Sequence, residues 1–434
     1  MTADLHDPAT LVGADVARLL PSAALAGAQV RATAEQVAAF ADFGRPRALV
    51  VIGATAAVDT ALLTALVGDA PAPVVTGTSL PSWVGPLDIV VVLASVVDDI
   101  AGAEAAALAV RRGARVVVRA AAHGPVAQAA AGAVLLSPMV PVTEALTGAA
   151  RLTLLVGVAT AAGFGARPDF LAAADQLDAL AVACHPSSEF FVNPALTLAE
   201  HLSAGTPLII GTDPVADALA GYTCRSLAAL AGYAGAALPS YQAAGSPPVL
   251  AGAARMDGPA GTFYDPYLDD AGSGAEAGQT VRSVLVVGPE ARSGTSAGAG
   301  LLPLESLPAF GTEPVDPARP VMTRSPLAAA LQTALPRALT VGPEELASRD
   351  ESPEVGAVGA PAPDAFSWTL AMMARVDFAA VYLGLLAGAR APMDSPDGLG
   401  RPGSAALHLP SLQSTPPARG RSAAWDERES GSWS

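Results

Sequence analysis

Between residues 48 and 136 the chain sets out five short apolar runs: Ala48 to Ile52, Val74 to Thr76, Ile89 to Leu93, Val116 to Val118 and Val134 to Leu136. Each is trailed by an alanine-rich helical stretch or a loop. The runs are rich in β-branched residues and, apart from Thr76, apolar rather than alternating, which predicts strands buried on both faces. Continuous apolar strands separated by helices predict a parallel sheet covered on both faces, with right-handed crossovers. The expected architecture is an αβα sandwich. Residues 8–40 carry Leu11, Leu19, Leu20, Val30, Val37 and Phe40 at mostly helical spacing and predict a leading helix. Helical stretches at 142–163 and 170–183 close this half.

The same grammar restarts near residue 193. A helix from Pro194 to Ala204 precedes a strand from Pro207 to Gly211, followed by a helical region at 214–236 and a strand from Ser283 to Val287. A helix at 325–335 leads to a strand near Ala338 to Val341, and a last helix spans about Trp368 to Ala387. Its apolar positions, Phe366 to Leu385, read as core or dimer interface. The connections 239–280, 288–320 and 342–364 are rich in Gly, Pro, Ser and Asp and are too long for ordinary loops, which predicts mobile parts. The organisation expected is an α/β protein with two αβα domains, 1–165 and 166–391, and a disordered tail at 392–434.

Composition excludes whole classes of chemistry. All 24 basic residues are arginine, so lysine Schiff bases and a lysine phosphate clamp are absent from the repertoire. The net charge of −16 argues against a nucleic-acid partner, which calls for a basic stripe. Two cysteines, Cys184 and Cys224, make no disulfide framework. Five scattered histidines without HExxH or paired-cysteine spacing predict no metal site. The longest apolar stretch near membrane length, Leu152 to Gly165, falls short of a span. Asp4, His6, Asp7 and Asp15 precede the first arginine, unlike a signal peptide. A cytoplasmic protein without membrane partners is expected.

Two segments resemble a known family. PVVTGTSLPSWVGPLDIVVVLAS, Pro73 to Ser95, is similar to the strand, LPxWVGP turn and strand of bifunctional phosphoglucose/phosphomannose isomerases of the sugar isomerase (SIS) family. NPALTLAEHLSAGTPLIIG, Asn193 to Gly211, resembles the opening of their second SIS domain. VDFAAVYLGLLAGARAP, Val376 to Pro392, resembles their closing helix, and FYDPYLDD, Phe263 to Asp270, resembles an actinobacterial TobH-like branch. The resemblance implies two SIS domains, a sugar-phosphate ligand, no cofactor and a homodimer.

The chemistry departs from that pattern. Isomerisation needs a carboxylate to shuttle a proton between C1 and C2, an acid/base to open the ring, and hydroxyls and N–H groups to hold phosphate. Ser95 matches the first serine of the family's phosphate loop, but Val97, Asp98, Asp99 and Ile100 fall where it has Ser, Gly, Asn and Thr. A phosphate about 6 Å from one such carboxylate is repelled by roughly 2–3 kcal/mol per unit-charge pair at an effective dielectric of about 20. The alternative role of Asp98 and Asp99 is capping a helix start. In the earlier loop, IGATAAVD, Gly53 and Asp59 match and Thr55 substitutes a hydroxyl. In TCRSLAALA, Arg225 stands for the family's lysine, while Leu230 occupies the position of the catalytic glutamate. No histidine lies between Leu238 and Thr280.

Other residues are candidates by position alone. His185 and Glu189 flank a Pro-Ser-Ser turn and form a weak proton-handling pair, the alternative being a solvated loop. Glu200 and His201 are adjacent on a helix and cannot share a face. His123 follows a strand end, where parallel sheets place ligands, and otherwise reads as a surface loop. Trp83 reads as a packing plug in its turn. Arg111, Arg112 and Arg115 complement a helix end. The binding residues expected are Gly53, Thr55, Ser95, His123 and Arg225. The function expected is carbohydrate-derivative binding with impaired catalysis. The alternatives are an active mannose 6-phosphate/glucose 6-phosphate isomerase, or a non-catalytic protein partner in mannose metabolism.

Overall fold

The computed structural model describes residues 4–256, 280–289, 326–342 and 364–388. The first five apolar runs form β1 (Leu49–Ile52), β2 (Val74–Gly77), β3 (Ile89–Leu93), β4 (Arg115–Arg119) and β5 (Val134–Leu136), all parallel, in the order β2-β1-β3-β4-β5. Successive side chains point to opposite faces. Leu49, Val51 and Val91 therefore enter one core, and Val50, Ile52, Val90 and Val92 another. The second core is closed by α5 (Ile100–Arg111) and α6 (Pro125–Ala129).

A second parallel sheet joins β6 (Thr206–Gly211), β7 (Ala236–Leu238), β8 (Val281–Val286) and β9 (Leu339–Val341) in the order β7-β6-β8-β9. Ile209 and Val284 face the same core as Val51 and Val91 of the first sheet. The inner faces of both sheets thus share one helical layer. It holds α3 (Ala26–Ala38), α4 (Ala56–Val67), α7 (Gly148–Ala161), α8 (Phe170–Ala183), α9 (Pro194–Ser203), α10 (Pro214–Ala231) and α14 (Ala365–Leu386). The outer face of the second sheet, with Ile210 and Leu285, packs against α11 (Ser240–Gly245), α12 (Pro247–Met256) and α13 (Pro326–Ala334).

Helix α14 is buried from Phe366 to Leu385. It is long and apolar enough to cross a membrane, but 94% of its apolar window is covered by the rest of the fold, as in a core helix. It, and not Leu152 to Gly165, is the longest apolar helix among the described residues. Each leucine-sized side chain buried here contributes about 1.5–3 kcal/mol.

Three expectations are corrected. The leading helix is broken into α1 (Pro8–Ala14), α2 (Leu19–Ala24) and α3. Asp15 turns its carboxylate back onto the N–H groups of Leu19 and Leu20, at 2.8 and 2.9 Å, and Arg18 sits in the left-handed region. Those local bonds compete with helix continuation. The region 214–236 ends its helix at Gly232, in left-handed conformation, and Ala236–Leu238 pairs with β6. Within 239–280, Pro239 and Pro247 introduce α11 and α12 rather than a loop, since proline suits the start of a helix. Segments 257–279, 290–320 and 343–363, FYDPYLDD and the tail at 392–434 lie outside the described residues.

Candidate functional site

In the first sheet the strand order reverses direction between β1 and β3, and the crevice outside the carboxyl ends at such a switch point is where open parallel sheets bind ligands. The loops after β1 and β3 meet there closely. Gly53 has φ +152°, and a Cβ at this position would lie 2.5 Å from the Leu93 carbonyl oxygen. Only glycine permits that conformation and that approach. Beside it, Ser95 Oγ is buried and has no hydrogen-bond partner. A buried hydroxyl without a partner is costly, and this one stands two residues past the end of β3, at the switch point.

Thr55 holds the N-cap position of α4, but its hydroxyl bonds Asp59 instead of capping. At the start of α5 the N-cap is Asp99, whose carboxylate accepts from Gly102 N at 2.7 Å. The positive end of that helix, which would suit a phosphate, is therefore filled by the chain's own anion. Asp98 is exposed beside it.

Below the edge runs a buried ionic network. Arg151 Nε donates to Asp59 Oδ2 at 2.8 Å, with both side chains about 1% exposed. Arg151 Nη1 reaches Glu144 Oε1 at 3.2 Å and also Thr147 Oγ1. Glu144 Oε2 in turn lies 3.5 Å from Arg119 Nη1. Burial opposes the Arg151 charge, but Asp59 and then Glu144 outweigh it and hold its pKa above the ordinary arginine value. For Arg119 burial wins, and its pKa is lowered despite Glu144.

A second buried acid occupies the shared helical layer. Asp377 on α14 accepts from Tyr222 Oη at 2.8 and 2.9 Å and from Ser226 Oγ at 2.7 Å. Burial pushes its pKa up to about 6, against the hydrogen bonds of Ser226 and Tyr222. Neither Arg151 nor Asp377 was identified from sequence, because their partners lie 92 and 155 residues away in the chain.

The structure brings Gly53, Thr55 and Ser95 together at the first sheet's carboxyl edge. The His123 loop joins them, since a Cβ at Gly124 would lie 3.1 Å from Val97 O, and His123 itself is exposed. Arg225 lies elsewhere, on α10, where its charge acts on Asp377. His185 and Glu189 are exposed in the turn between α8 and α9. His185 Nδ1 engages Ser187 Oγ at 2.7 Å, and no ion pair joins it to Glu189 among the described residues. Leu230 is 2% exposed, inside the shared core.

Several of the other polar residues singled out from the sequence have structural partners. Glu200 and His201 diverge, Glu200 toward His6 and His201 toward the Ser283 carbonyl. Trp83 is not a plug: it is 45% exposed under the Arg47 guanidinium, and Val84 fills the space beneath the turn. Arg112 donates to Pro81 O, and Arg115 lies over Phe43. Among the described residues no group of three or more His, Cys, Asp or Glu side chains is placed to hold a metal ion.

No protein-family model matches this sequence, and no curated protein matches it. Solved structures share its fold. A hypothetical protein of Thermus thermophilus is similar over 87% of this chain and 88% of its own, with 13% identity and a TM-score of 0.55. A protein of Clostridium difficile 630, provisionally described as a phosphosugar isomerase, is similar over 87% of this chain and 96% of its own, with 10% identity and a TM-score of 0.51.

Proposed function

We propose that the protein binds a sugar phosphate or a related carbohydrate derivative at the carboxyl edge of its first sheet and does not isomerise it, as a catalytically impaired SIS-type protein. The observation that carries the binding reading is Ser95 Oγ, a buried hydroxyl without a partner at the switch point, beside the Gly53 turn. Thr55 and the His123 loop border the same crevice. The fold shared with a protein described as a phosphosugar isomerase supports the ligand class.

The loss of catalysis rests on the local chemistry. The position that should supply the proton-shuttling carboxylate is Leu230, packed in the core. The α5 N-terminus is closed by Asp99. Losing a general acid/base removes about 10²–10⁴-fold of rate. The assembly proposed is a homodimer, the commonest closed symmetry; light scattering giving a stable mass near 43.0 kDa contradicts it. The compartment proposed is the cytoplasm.

A second reading has its own observation. Val96 and Val97 on the loop after β3 and Ile100, the first residue of α5, are 55%, 59% and 61% exposed at this same edge, an apolar trio that suits contact with a protein. Calorimetric titration with mannose 6-phosphate and glucose 6-phosphate separates the two. Binding that weakens about tenfold in Ser95→Ala, the scale of one hydrogen bond, is expected. No heat of binding with either sugar phosphate overturns the carbohydrate reading in favour of the protein contact.

A further inference from the structure

A cleft opens between α3, the turn after β5 and α7, at the same carboxyl edge of the first sheet as the crevice described above but lined by other residues. The cleft is small and opens to solvent. Arg119, the last residue of β4, lines it and is 5% exposed. Its one acidic partner among the described residues is Glu144, at the long distance of 3.5 Å, and Glu144 is shared with Arg151. Arg119 is thus a buried cation with half a partner, beside empty space.

The rest of the lining narrows what could answer that charge. Gln29 commits its Nε2 to the Leu146 carbonyl at 3.0 Å, and its Oε1 is buried without any partner. This atom only accepts, so it calls for a donor such as a hydroxyl. Leu136, Met139 and Leu154 supply an apolar part of the remaining wall, and Thr33, Gln36 and Ser137 a polar part, with Gln36 Nε2 already bonded to the Ser137 carbonyl at 3.0 Å. A cation, an unused acceptor and an apolar wall fit one molecule bearing a carboxylate, a neighbouring hydroxyl and a short alkyl group. A planar guanidinium matches a carboxylate with two parallel hydrogen bonds. A doubly charged phosphate suits the place less well, because Glu144 lies within 3.5 Å of the same guanidinium and repels the second charge.

We propose that this cleft binds a short aliphatic hydroxycarboxylate, its carboxylate on Arg119, its hydroxyl donating to Gln29 Oε1 and its alkyl group against Leu136 and Leu154. None of Gly53, Thr55, Ser95 or His123 lines this cleft, so the proposal does not depend on the carbohydrate reading, although Arg119 ends the strand beside Leu93 at the same sheet edge.

Calorimetry on the full chain with lactate, propionate and inorganic phosphate tests it. Lactate is expected to bind one per chain, with propionate about tenfold weaker for want of the hydroxyl bond. Gln29→Leu is expected to lower lactate to the propionate level, and Arg119→Gln to abolish both. Should Arg119→Gln fail to fold, as judged by circular dichroism, the lactate–propionate difference and the Gln29→Leu variant decide the matter. Absence of lactate binding at millimolar concentration, equal affinity for lactate and propionate, phosphate binding more tightly than lactate, or an unchanged lactate affinity in Gln29→Leu each overturn the proposal.

Discussion

After β1 the chain reads Ile52-Gly53-Ala54-Thr55 and reaches Asp59 one turn into α4; after β6 it reads Ile210-Gly211-Thr212-Asp213 and reaches Asp217 one turn into α10. The two halves repeat one backbone device, a glycine at the strand end and an acid one turn into the helix that follows. The sheets agree as well, since β7-β6-β8-β9 follows the same order as β2-β1-β3-β4. What differs is how the acid is neutralised. Asp217 is satisfied inside its own half by Ser240 N and Ser240 Oγ, each at 2.8 Å. Asp59 is buried and meets Arg151, which in turn commits Glu144 and Arg119. The same turn can therefore be a locally closed hydrogen-bonded corner or the anchor of a long-range ionic network. In the first half that network stands beneath an edge with an unpartnered hydroxyl at Ser95.

Breaking the network tests this contrast most severely. Arg151→Met leaves Asp59 buried without its counter-charge and is expected to cost about 3–5 kcal/mol in urea unfolding. A cost below about 1 kcal/mol would show that the pair is solvated and the contrast unfounded. Adding Asp59→Leu to that variant is expected to restore most of the loss, because an apolar pair of similar volume replaces a desolvated ionic one.

Gly53→Ala comes next, at about 1–3 kcal/mol, since it combines φ +152° with a 2.5 Å approach to Leu93 O. Its counterpart Gly211→Ala meets Asp217 N at 2.3 Å and should be destabilising too. A neutral result for either, read by thermal melting, would mean the turns relax freely.

The buried acid at Asp377, held by Tyr222 and Ser226 of α10, predicts a pH dependence. Asp377 has a folded-state pKa near 6, above its ordinary value of 3.8. Between those values the folded state holds more protons than the unfolded one, so stability from this group is present at low pH and is lost as pH rises through about 6. Asp377→Asn removes that loss. Its melting temperature relative to wild type is expected to rise by about 2–4 °C between pH 5 and pH 7.5. A constant difference across that range would contradict the shift.

The smallest effect belongs to the second half. Asp217→Asn keeps an oxygen for Ser240 N and should cost at most about 1 kcal/mol. A loss as large as that of Arg151→Met would erase the distinction between the two corners.

How much of this was legible in the sequence follows from range. The strands of both sheets, apart from Ala236–Leu238, stand out because unbroken β-branched runs have few other uses. Ala236–Leu238 does not, because two alanines and a leucine continue a helix as readily as they form an edge strand. The break at Asp15 turned on one carboxylate folding back on Leu19 and Leu20. Gly53, Thr55 and Ser95 were singled out by the resemblance of their loops to the family's, and the fold puts them at one sheet edge. Arg151 was not, since nothing local to α7 points to Asp59, 92 residues away. The repeated spacing in IGATAAVD and IGTDPVAD was the one signal that could have marked Asp59 and Asp217 as equivalent. Arg225, singled out by local likeness, lies apart from Gly53, Thr55 and Ser95, on α10, where its charge acts on Asp377.

Binding without turnover can be read in one proton NMR experiment on mannose 6-phosphate in D₂O with the purified chain. Saturation of protein resonances should transfer to the sugar protons, and the C2–H signal should persist, because no carboxylate stands where Leu230 does to carry that proton away. Loss of the C2–H signal at an enzymatic rate, about 1 s⁻¹ or more, would contradict the account, as would a complete absence of saturation transfer.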